Sequence, residues 1–397
     1  MRIYPEIKRL PKKCLVTSTP VKKYIAMNEQ GEIIKMKKIQ GLNLLKILAC
    51  VVIFCHHYQQ YFNVYFEGKV NFFNGNFYFG YVVELFFMIS GILAYNSYIE
   101  KGSLPSFTTY IKGKFLRFFP TTFLALTFLY LFEWIVYFID GKPFFWKLPT
   151  LVDYVLCIFL LDNGWGFESL IPDWRISWYV GVLLLLYAIF WCVTKICEKR
   201  KASVGNIAFL CFIAGSAVFF NENELLSIEL PLLGHNLSRG VLSFFMGIVV
   251  YSLVKNYQKA AKLYASIGLP LITGMMIYDY NMTQNVGNPL IGQYYWGCIL
   301  ILYPSILIIA MTSKFIGKIS KIKILDKFER LTFPVYLYQA FLLTLFAYFE
   351  HIGWIQINHG YKSMFVAVVL IFGVSYLIDK YIRVPFEKAV YKLLDEE

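Results

Sequence analysis

Charged residues are scarce in this sequence: they make up only 16% of its 397 residues, whereas 58% are hydrophobic and 19% aromatic. Soluble domains are typically about one-quarter charged, so this scarcity argues against a soluble protein. Long apolar runs such as LNLLKILACVVIFC and FVAVVLIFGVSYLI point to a membrane instead, because a helix needs about 20 mostly apolar residues to span a bilayer. Backbone N–H and C=O groups have no water to bond with in lipid, and an α-helix satisfies them by its own hydrogen bonds. The sequence therefore predicts an all-α, polytopic membrane protein.

Signatures of metal binding and of disulfide bonding are missing as well. The eight cysteines show no CxxC spacing and no cluster with histidine, so neither a metal site nor a disulfide framework is expected. The net charge of +13 could suggest a nucleic-acid partner, but ten Lys and Arg fall in the first 38 residues and most others in short loops between apolar runs. That distribution predicts a lipid bilayer as the partner, and no nucleic acid. A long polar stretch precedes the first apolar run, so no cleaved signal peptide is expected.

Ten transmembrane helices are predicted from the apolar runs. They lie at about residues 41–63, 76–98, 120–140, 175–196, 203–221, 236–254, 263–281, 291–312, 331–349 and 364–385. With the N-terminus in the cytoplasm, 31 Lys and Arg fall on cytoplasmic segments and five on outer ones, as the positive-inside rule requires. We therefore expect a multi-pass protein of the cell (plasma or inner) membrane with both termini cytoplasmic. A basic segment (1–38) precedes the transmembrane domain (39–386), and a tail (387–397) follows it.

Two further segments are predicted to lie at the membrane surfaces. Residues 106–119 place four apolar side chains on one helical face and basic ones elsewhere, a pattern typical of a helix in the cytoplasmic interface. Pro120 would then start the third span, because proline is favoured at the first helical position. The long aromatic segment 141–174 is expected to fold back as a cap over the outer end of the bundle.

Five ionisable residues inside apolar segments are candidates for function, since such residues are costly in lipid: Lys46, His56, His57, Glu84 and Arg239. The polar Gln339 is a weaker candidate. His56 and His57 are about 100° apart on their helix, so they cannot both face one partner. Lys46 and His57 are eleven residues apart, about three turns, and so share a helical face about 16 Å apart. Glu84 lies in the second span at a depth similar to that of His57, where a carboxylate would orient the imidazole and raise its basicity. Arg239 opens the sixth span near the outer surface, where it is expected to bind an anionic group.

Each of these residues also has a structural interpretation. Lys46 and Arg239 could extend to the membrane surfaces, His57 could be a packing residue, and Glu84 could hold two helices together. Three such groups close to one helix pair are an expensive way to pack, and this favours function for Lys46, His57 and Glu84.

At these residues the sequence resembles the acyltransferase 3 family of integral membrane acyltransferases. In GLNLLKILACVVIFCHHYQQ a basic residue precedes His57 by eleven positions, with Lys46 where the family usually has Arg. The second span, FGYVVELFFMISGILAY, is similar to the acid-x-FFxxSG signature from Glu84 to Gly91. The segment YIKGKFLRFFPT resembles a basic cytoplasmic motif ahead of a proline, through Lys114 and Arg117.

The resemblance extends to later helices and covers about residues 39–386. SWYVGVLLLLY resembles a Trp-led fourth span through Trp178 and Tyr179, and SRGVLSFFMG an Arg-led helix through Arg239. LTFPVYLYQAF resembles a late helix of the family through Pro334, with Gln339 where many members have His. The family fold also has ten helices.

The resemblance implies an O-acyltransferase that moves an acyl group, expected to be acetyl, from cytoplasmic acyl-CoA to an outer acceptor. His57 would act as general base or transient acyl carrier, with Glu84 orienting it. The acyl-CoA phosphates would be held by three basic residues: Lys46, Lys114 and Arg117. The acceptor would be a sugar hydroxyl of a cell-surface polysaccharide or lipid-linked glycan, close to Arg239, Trp178 and Tyr179. Acyl-CoA is then a co-substrate, and no metal is expected.

Two other classes of function stay open on the residues alone. One is a transporter or flippase for a lipid-linked sugar or other solute, in which paired halves and broken helices are typical. No repeat relates the halves of this sequence, and Pro270, Pro304 and Pro334 do not fall at corresponding positions. The other is a membrane sensor or scaffold, which would leave the buried ionisable residues without a role.

Overall fold

The computed structural model describes residues 26–27, 33–34, 39, 41–75, 77–145, 147–162, 170–171, 174–224, 235–283 and 293–395. Within them the chain is almost entirely helical; one antiparallel pair of two-residue strands joins β1 (Ala26–Met27) to β2 (Ile33–Ile34). The first seven helices are α1 (Leu42–Phe62), α2 (Val82–Lys101), α3 (Phe107–Asp140), α4 (Leu151–Ile158), α5 (Trp178–Arg200), α6 (Val204–Glu224) and α7 (His235–Asn256). The others are α8 (Gln258–Thr283), α9 (Gln293–Gly297), α10 (Tyr303–Thr312), α11 (Lys314–Ile319), α12 (Lys323–His351), α13 (Tyr361–Ile378) and α14 (Val384–Asp395). Two short 3₁₀ turns, Phe79–Tyr81 and Trp174–Ser177, precede α2 and α5 respectively. Two π-helical segments, Cys298–Leu302 and Asp379–Arg383, precede α10 and α14 respectively.

These helices confirm the predicted all-α, polytopic fold. In the described ranges, nine helices are long and apolar enough to cross a membrane, and the shorter apolar stretch Val204–Phe220 of α6 lies where the fifth span was predicted. Helix α8 is the most exposed of these nine, since only 22% of the residues in its apolar window are buried. This exposure is expected of a helix that faces lipid. The orientation of the termini stays a prediction, and the two ends of the bundle are named below as the predicted cytoplasmic end and the predicted outer end.

The third span differs from its prediction at Pro120. The helix does not begin there: α3 runs without a break for 34 residues and has Pro120 in its interior. Its start is fixed at Ser106, whose side chain accepts a hydrogen bond from the backbone N–H of Thr109. At 1.5 Å per residue α3 is about 51 Å long, well beyond the hydrocarbon thickness of about 30 Å. Neighbouring helices compensate a proline inside a membrane helix, so the predicted boundary at Pro120 is wrong.

Two glycines bring α2 and α7 into close contact. A Cβ atom on Gly91 would lie 2.0 Å from the carbonyl oxygen of Phe244, and one on Gly247 would lie 2.1 Å from that of Met88. No other residue fits at these two positions, and small residues at close helix contacts are typical of membrane proteins. The sequence motifs thus have a packing role: they hold α2 and α7 side by side.

Helix α1 is attached to α12 by polar contacts at the predicted cytoplasmic end. The Nζ of Lys46 lies 2.7 Å from Oε1 of Glu329. The Sγ of Cys50 donates to the carbonyl oxygen of Thr332 at 3.4 Å. These contacts fix how α1 and α12 face each other, and this places His57 against the middle of α12.

The described parts of segment 141–174 fold onto the bundle, but α4 does not form the predicted cap over its outer end. Instead α4 runs back alongside α3: the hydroxyls of Tyr154 and Thr127 are 2.7 Å apart, and the rings of Phe159 and Phe115 are stacked 6.4 Å apart.

Thr150 and Asp153 form a capping box at the start of α4, and Lys147 pairs with Asp153 at 2.9 Å. Asp162 is buried, and its Oδ2 accepts a hydrogen bond from the hydroxyl of Ser177 at 2.7 Å. Burial raises the pKa of Asp162 to about 6, although the hydrogen bond from Ser177 lowers it in part.

Candidate active site

His57 lies in the interior of the bundle on α1, with 9% of its surface exposed. Its ring centroid is 5.5 Å from that of His56 and 6.5 Å from that of Tyr336. The side chain of Gln339, also on α12, approaches the same ring. The Nδ1 atom of His57 is buried and has no hydrogen-bond partner among the described residues. A buried polar atom without a partner costs about 1–3 kcal/mol, so it calls for an explanation, and a catalytic role is one.

Glu84 does not orient His57. Its Oε1 accepts a hydrogen bond from Nε of Arg239 at 2.6 Å, and its side chain is fully buried. No hydrogen bond or ion pair joins Glu84 to His57, both of which belong to the described part of the chain. The sequence predicted a similar depth for Glu84 and His57, but not which neighbouring helix the Glu84 face of α2 contacts. In the structure that face contacts α7. The expected Glu84–His57 contact is therefore replaced by an ion pair with Arg239.

Arg239 is likewise held by the protein. Its guanidinium carbon lies 4.8 Å from the centroid of the Trp178 ring, in a cation–π contact, and its side chain is 15% exposed. Tyr295 adds a phenol next to the pair. The charge that was expected to bind an anion is thus neutralised by Glu84, and Trp178 covers the guanidinium.

Tyr179 occupies an interior position between α2 and α12. Its hydroxyl lies 3.3 Å from the hydroxyl of Ser90, which belongs to the FFxxSG motif. Its ring centroid is 5.6 Å from that of Tyr336. Ser90 is also within hydrogen-bonding reach of Tyr187, two turns further along α5. Tyr187, Tyr179 and Tyr336, here called the tyrosine row, form a line of phenols that leads to His57.

The far end of the tyrosine row carries two of the three expected phosphate ligands. The Nζ of Lys114 lies over the ring of Tyr187, 3.9 Å from its centroid. Arg117 is exposed and interacts electrostatically with Tyr179 and Tyr187. Lys46, the third, is paired with Glu329 on α12.

Sequence reasoning underestimated several residues of the site. Tyr336 was visible only as part of a motif, yet its ring faces His57 and its hydroxyl donates to the carbonyl oxygen of Ile176 at 2.8 Å. Gln339 was noted as a polar residue in an apolar span, and this signal was sufficient to find it. His56 points elsewhere, as its position on the helix predicts: its Nδ1 donates to the carbonyl oxygen of Phe72 at 2.7 Å.

The two described tryptophans close to the start of α5 are only partly available to a ligand. Trp174 is fully buried, and Trp178 is in contact with Arg239. Trp146 and Trp165 lie outside the described residues. In the part of the chain that the structure describes, no group of three His, Cys, Asp or Glu could hold a metal ion.

One comparison with known proteins covers most of the chain. The family model described as acyltransferase domain, acyltransferase 3, matches residues 39–380, which is nearly the whole chain. Curated proteins and solved structures give no match. The match includes His57, Glu84, Lys114, Arg239 and the helices that position them. This multi-pass membrane protein belongs to the acyltransferase 3 family.

Proposed function

We propose that the protein transfers an acetyl group from cytoplasmic acetyl-CoA to a sugar hydroxyl of a cell-surface polysaccharide or lipid-linked glycan at the plasma membrane. One observation carries the proposal: a buried imidazole, His57, stands at the end of a line of phenols that begins at Lys114. Family membership supports acyl transfer in general. Acetyl-CoA, the glycan and the plasma membrane are parts of the proposal.

The donor would bind from the predicted cytoplasmic end. Acyl-CoA carries several negative charges at its nucleotide end, which cationic side chains attract. Lys114 and Arg117 provide that charge next to the tyrosine row. Lys46 is neutralised by Glu329, so the proposal assigns the phosphate contacts to Lys114 and Arg117. The thin pantetheine arm would then follow the phenols, whose hydroxyls can pair with its amides.

The reaction at His57 is acyl transfer with general-base catalysis. As the acceptor oxygen attacks the thioester carbonyl, its proton passes to the imidazole and an ester C–O bond forms. The C–S bond then breaks, and the imidazolium returns the proton to the departing thiolate of CoA. Neither step needs a metal or a redox partner. Electrons and protons balance within the donor, the acceptor and His57.

The acceptor would approach from the predicted outer end, where α2 and α7 are joined by the Glu84–Arg239 pair. Glu84 is not a catalytic group in this proposal, because its carboxylate is engaged by Arg239. The pair instead fixes the outer halves of the two helices that flank the site. Trp178 and Tyr179 lie at the start of α5, where both rings contact Phe87 of α2.

The proposal is tested by supplying radiolabelled acetyl-CoA to the purified full chain in lipid vesicles. We expect release of free CoA, by hydrolysis or by transfer to added glycan, and loss of this activity in His57→Gln. The matched control is His351→Gln, because His351 is exposed at the end of α12. CoA release that survives in His57→Gln would remove the central residue. Movement of a labelled lipid-linked sugar without CoA release would favour a flippase.

Donor recognition is tested on α3. Lys114→Gln and Arg117→Gln should raise the KM for acetyl-CoA about tenfold or more, because each removes one charge-assisted phosphate contact worth about 1.5–3 kcal/mol. Lys112→Gln is the control, since Lys112 is exposed on the same helix and was not assigned to the donor. An equal effect of all three variants would indicate general attraction by surface charge. No effect of the first two would refute the phosphate site.

A further inference from the structure

Gln339 is the polar neighbour that the structure gives His57 in place of a carboxylate. It is fully buried on α12. Its Nε2 donates to the carbonyl oxygen of Tyr336 at 2.8 Å. Because a carbonyl oxygen can only accept, this bond fixes which end of the amide is nitrogen. The amide oxygen, Oε1, is therefore the atom left for another partner.

That oxygen and the imidazole carry complementary unsatisfied atoms. Oε1 of Gln339 and Nδ1 of His57 are both buried and both without a hydrogen-bond partner in the described residues. The two side chains lie close enough to interact but are not aligned for a hydrogen bond. Bonds of this kind are often long or poorly aligned before substrate binds, and tighten when it does. A hydrogen bond between them would satisfy both atoms at once.

We propose that Gln339 is a positioning residue that accepts a hydrogen bond from Nδ1–H of His57 and so keeps the lone pair of Nε2 free to act as the base. This inference rests on the proposed function of the same site. The proton of the acceptor hydroxyl then goes to Nε2, and the Nδ1 proton stays on the ring, bonded to Oε1. An amide orients the ring as a carboxylate would, but adds no charge beside it.

Three other polar side chains considered as partners of His57 each form a hydrogen bond elsewhere in the described residues. Glu84 is engaged by Arg239. The ring of Tyr336 faces His57, but its hydroxyl donates to the carbonyl oxygen of Ile176. His56 is fixed in the Nδ1–H form by the carbonyl oxygen of Phe72.

The tautomer can be read directly by ¹⁵N NMR of histidine-labelled protein in detergent micelles at a pH where the ring is neutral. The sequence has five histidines, and His57→Gln assigns the signal. We expect the Nδ1-protonated form for His57, as for His56. In Gln339→Met, an apolar side chain of similar shape, we expect a mixture of both forms. Gln339→Glu keeps an acceptor oxygen whether or not it is ionised, and should restore the Nδ1-protonated form.

The kinetic arm separates positioning from structure. Gln339→Met should lower kcat about tenfold or more, since general-base catalysis contributes about 10²–10⁴-fold in all, while KM for acetyl-CoA stays the same. Gln339→Glu should recover part of that loss. Tyr338→Phe is the control: it removes a buried hydroxyl that has no hydrogen-bond partner among the described residues, from the neighbouring position of α12, where the ring packs on Phe128.

Two results would overturn the inference. One is an Nε2-protonated or mixed ring in the unmodified protein. The other is a Gln339→Met variant that keeps the Nδ1 form and full kcat. The NMR result does not depend on turnover of acetyl-CoA, so a failure of this inference can be told apart from a failure of the proposed function.

Discussion

The Glu84–Arg239 pair makes a quantitative prediction about the helix pair α2 and α7. Oppositely charged atoms 2.6 Å apart attract by about 6 kcal/mol at an effective dielectric constant near 20. Removing two charges from water costs several kcal/mol for each ion, so the net contribution of the pair is small. Removing one partner is different, because it leaves the other charge buried and unpaired, at a cost of about 3–5 kcal/mol.

The test is a double-mutant cycle with Glu84→Gln, Arg239→Gln and the combined variant. The measurement is the free energy of unfolding in detergent micelles, followed by tryptophan fluorescence during titration with a denaturing detergent. We expect each single variant to lose about 3–5 kcal/mol and the combined variant to lose less than their sum by at least about 2 kcal/mol, since no charge is then left unpaired. Simple additivity would refute the pairing. So would a Glu84→Gln variant with unchanged stability and an altered His57 tautomer, because Glu84 would then act on the imidazole after all.

Three further predictions test the packing and the other charged groups. Gly247→Ala should lower the free energy of unfolding by about 1–3 kcal/mol, because the added Cβ would meet backbone atoms of α2. Gly274→Ala on α8 is the control: its Cβ would meet no atom within 4 Å, so it should raise the free energy of unfolding by up to about 1 kcal/mol. Equal effects of the two variants in the same unfolding assay would contradict the close contact. Burial raises the pKa of Asp162 to about 6, so the protonated carboxyl stabilises the fold fully below about pH 4. This stabilisation is lost as the pH rises through 6, by up to about 3 kcal/mol. Asp162→Asn should make the melting temperature depend less on pH over this range, and an unchanged pH dependence would contradict the prediction. Lys46→Met should cost at most about 1 kcal/mol, because the pair with Glu329 is partly exposed, and should leave the KM for acetyl-CoA unchanged; a tenfold rise in KM would make Lys46 a phosphate ligand.

Membrane architecture was predictable because the bilayer imposes one strong constraint on every span. Apolar runs of sufficient length located the helices to within a few residues in most cases, for example 236–254 against the observed His235–Asn256. Pro120 misled the prediction because proline in a membrane helix is tolerated when neighbouring helices compensate for the missing N–H. The local sequence around Pro120 does not show which helices will be its neighbours.

Contacts within the site were harder to predict than its members. Helical spacing fixes which residues share a face, so it correctly turned His56 away from His57. It does not fix which neighbouring helix that face meets. Glu84 was therefore assigned to α1, whereas the close packing at Gly91 and Gly247 turns it to Arg239 on α7.

The proposed partner of His57, Gln339, lies on α12, far away in the sequence. Gln339 was noticed as a polar residue in an apolar helix, but residue type alone does not determine which way its side-chain amide points. That direction depends on the carbonyl oxygen of Tyr336, which accepts from Nε2. Only coordinates show such a bond, because it depends on the rotamer and not on residue type.

Transfer across the membrane tests the central claim most directly, since His57 is proposed to meet a thioester from one face and an alcohol from the other. Uniformly oriented proteoliposomes would receive acetyl-CoA only at the face of Lys114 and Arg117, and a glycan acceptor only at the opposite face. We predict acetylated glycan in that arrangement, and none when His57 is replaced by Gln. Product that forms only when donor and acceptor share one face would contradict the account.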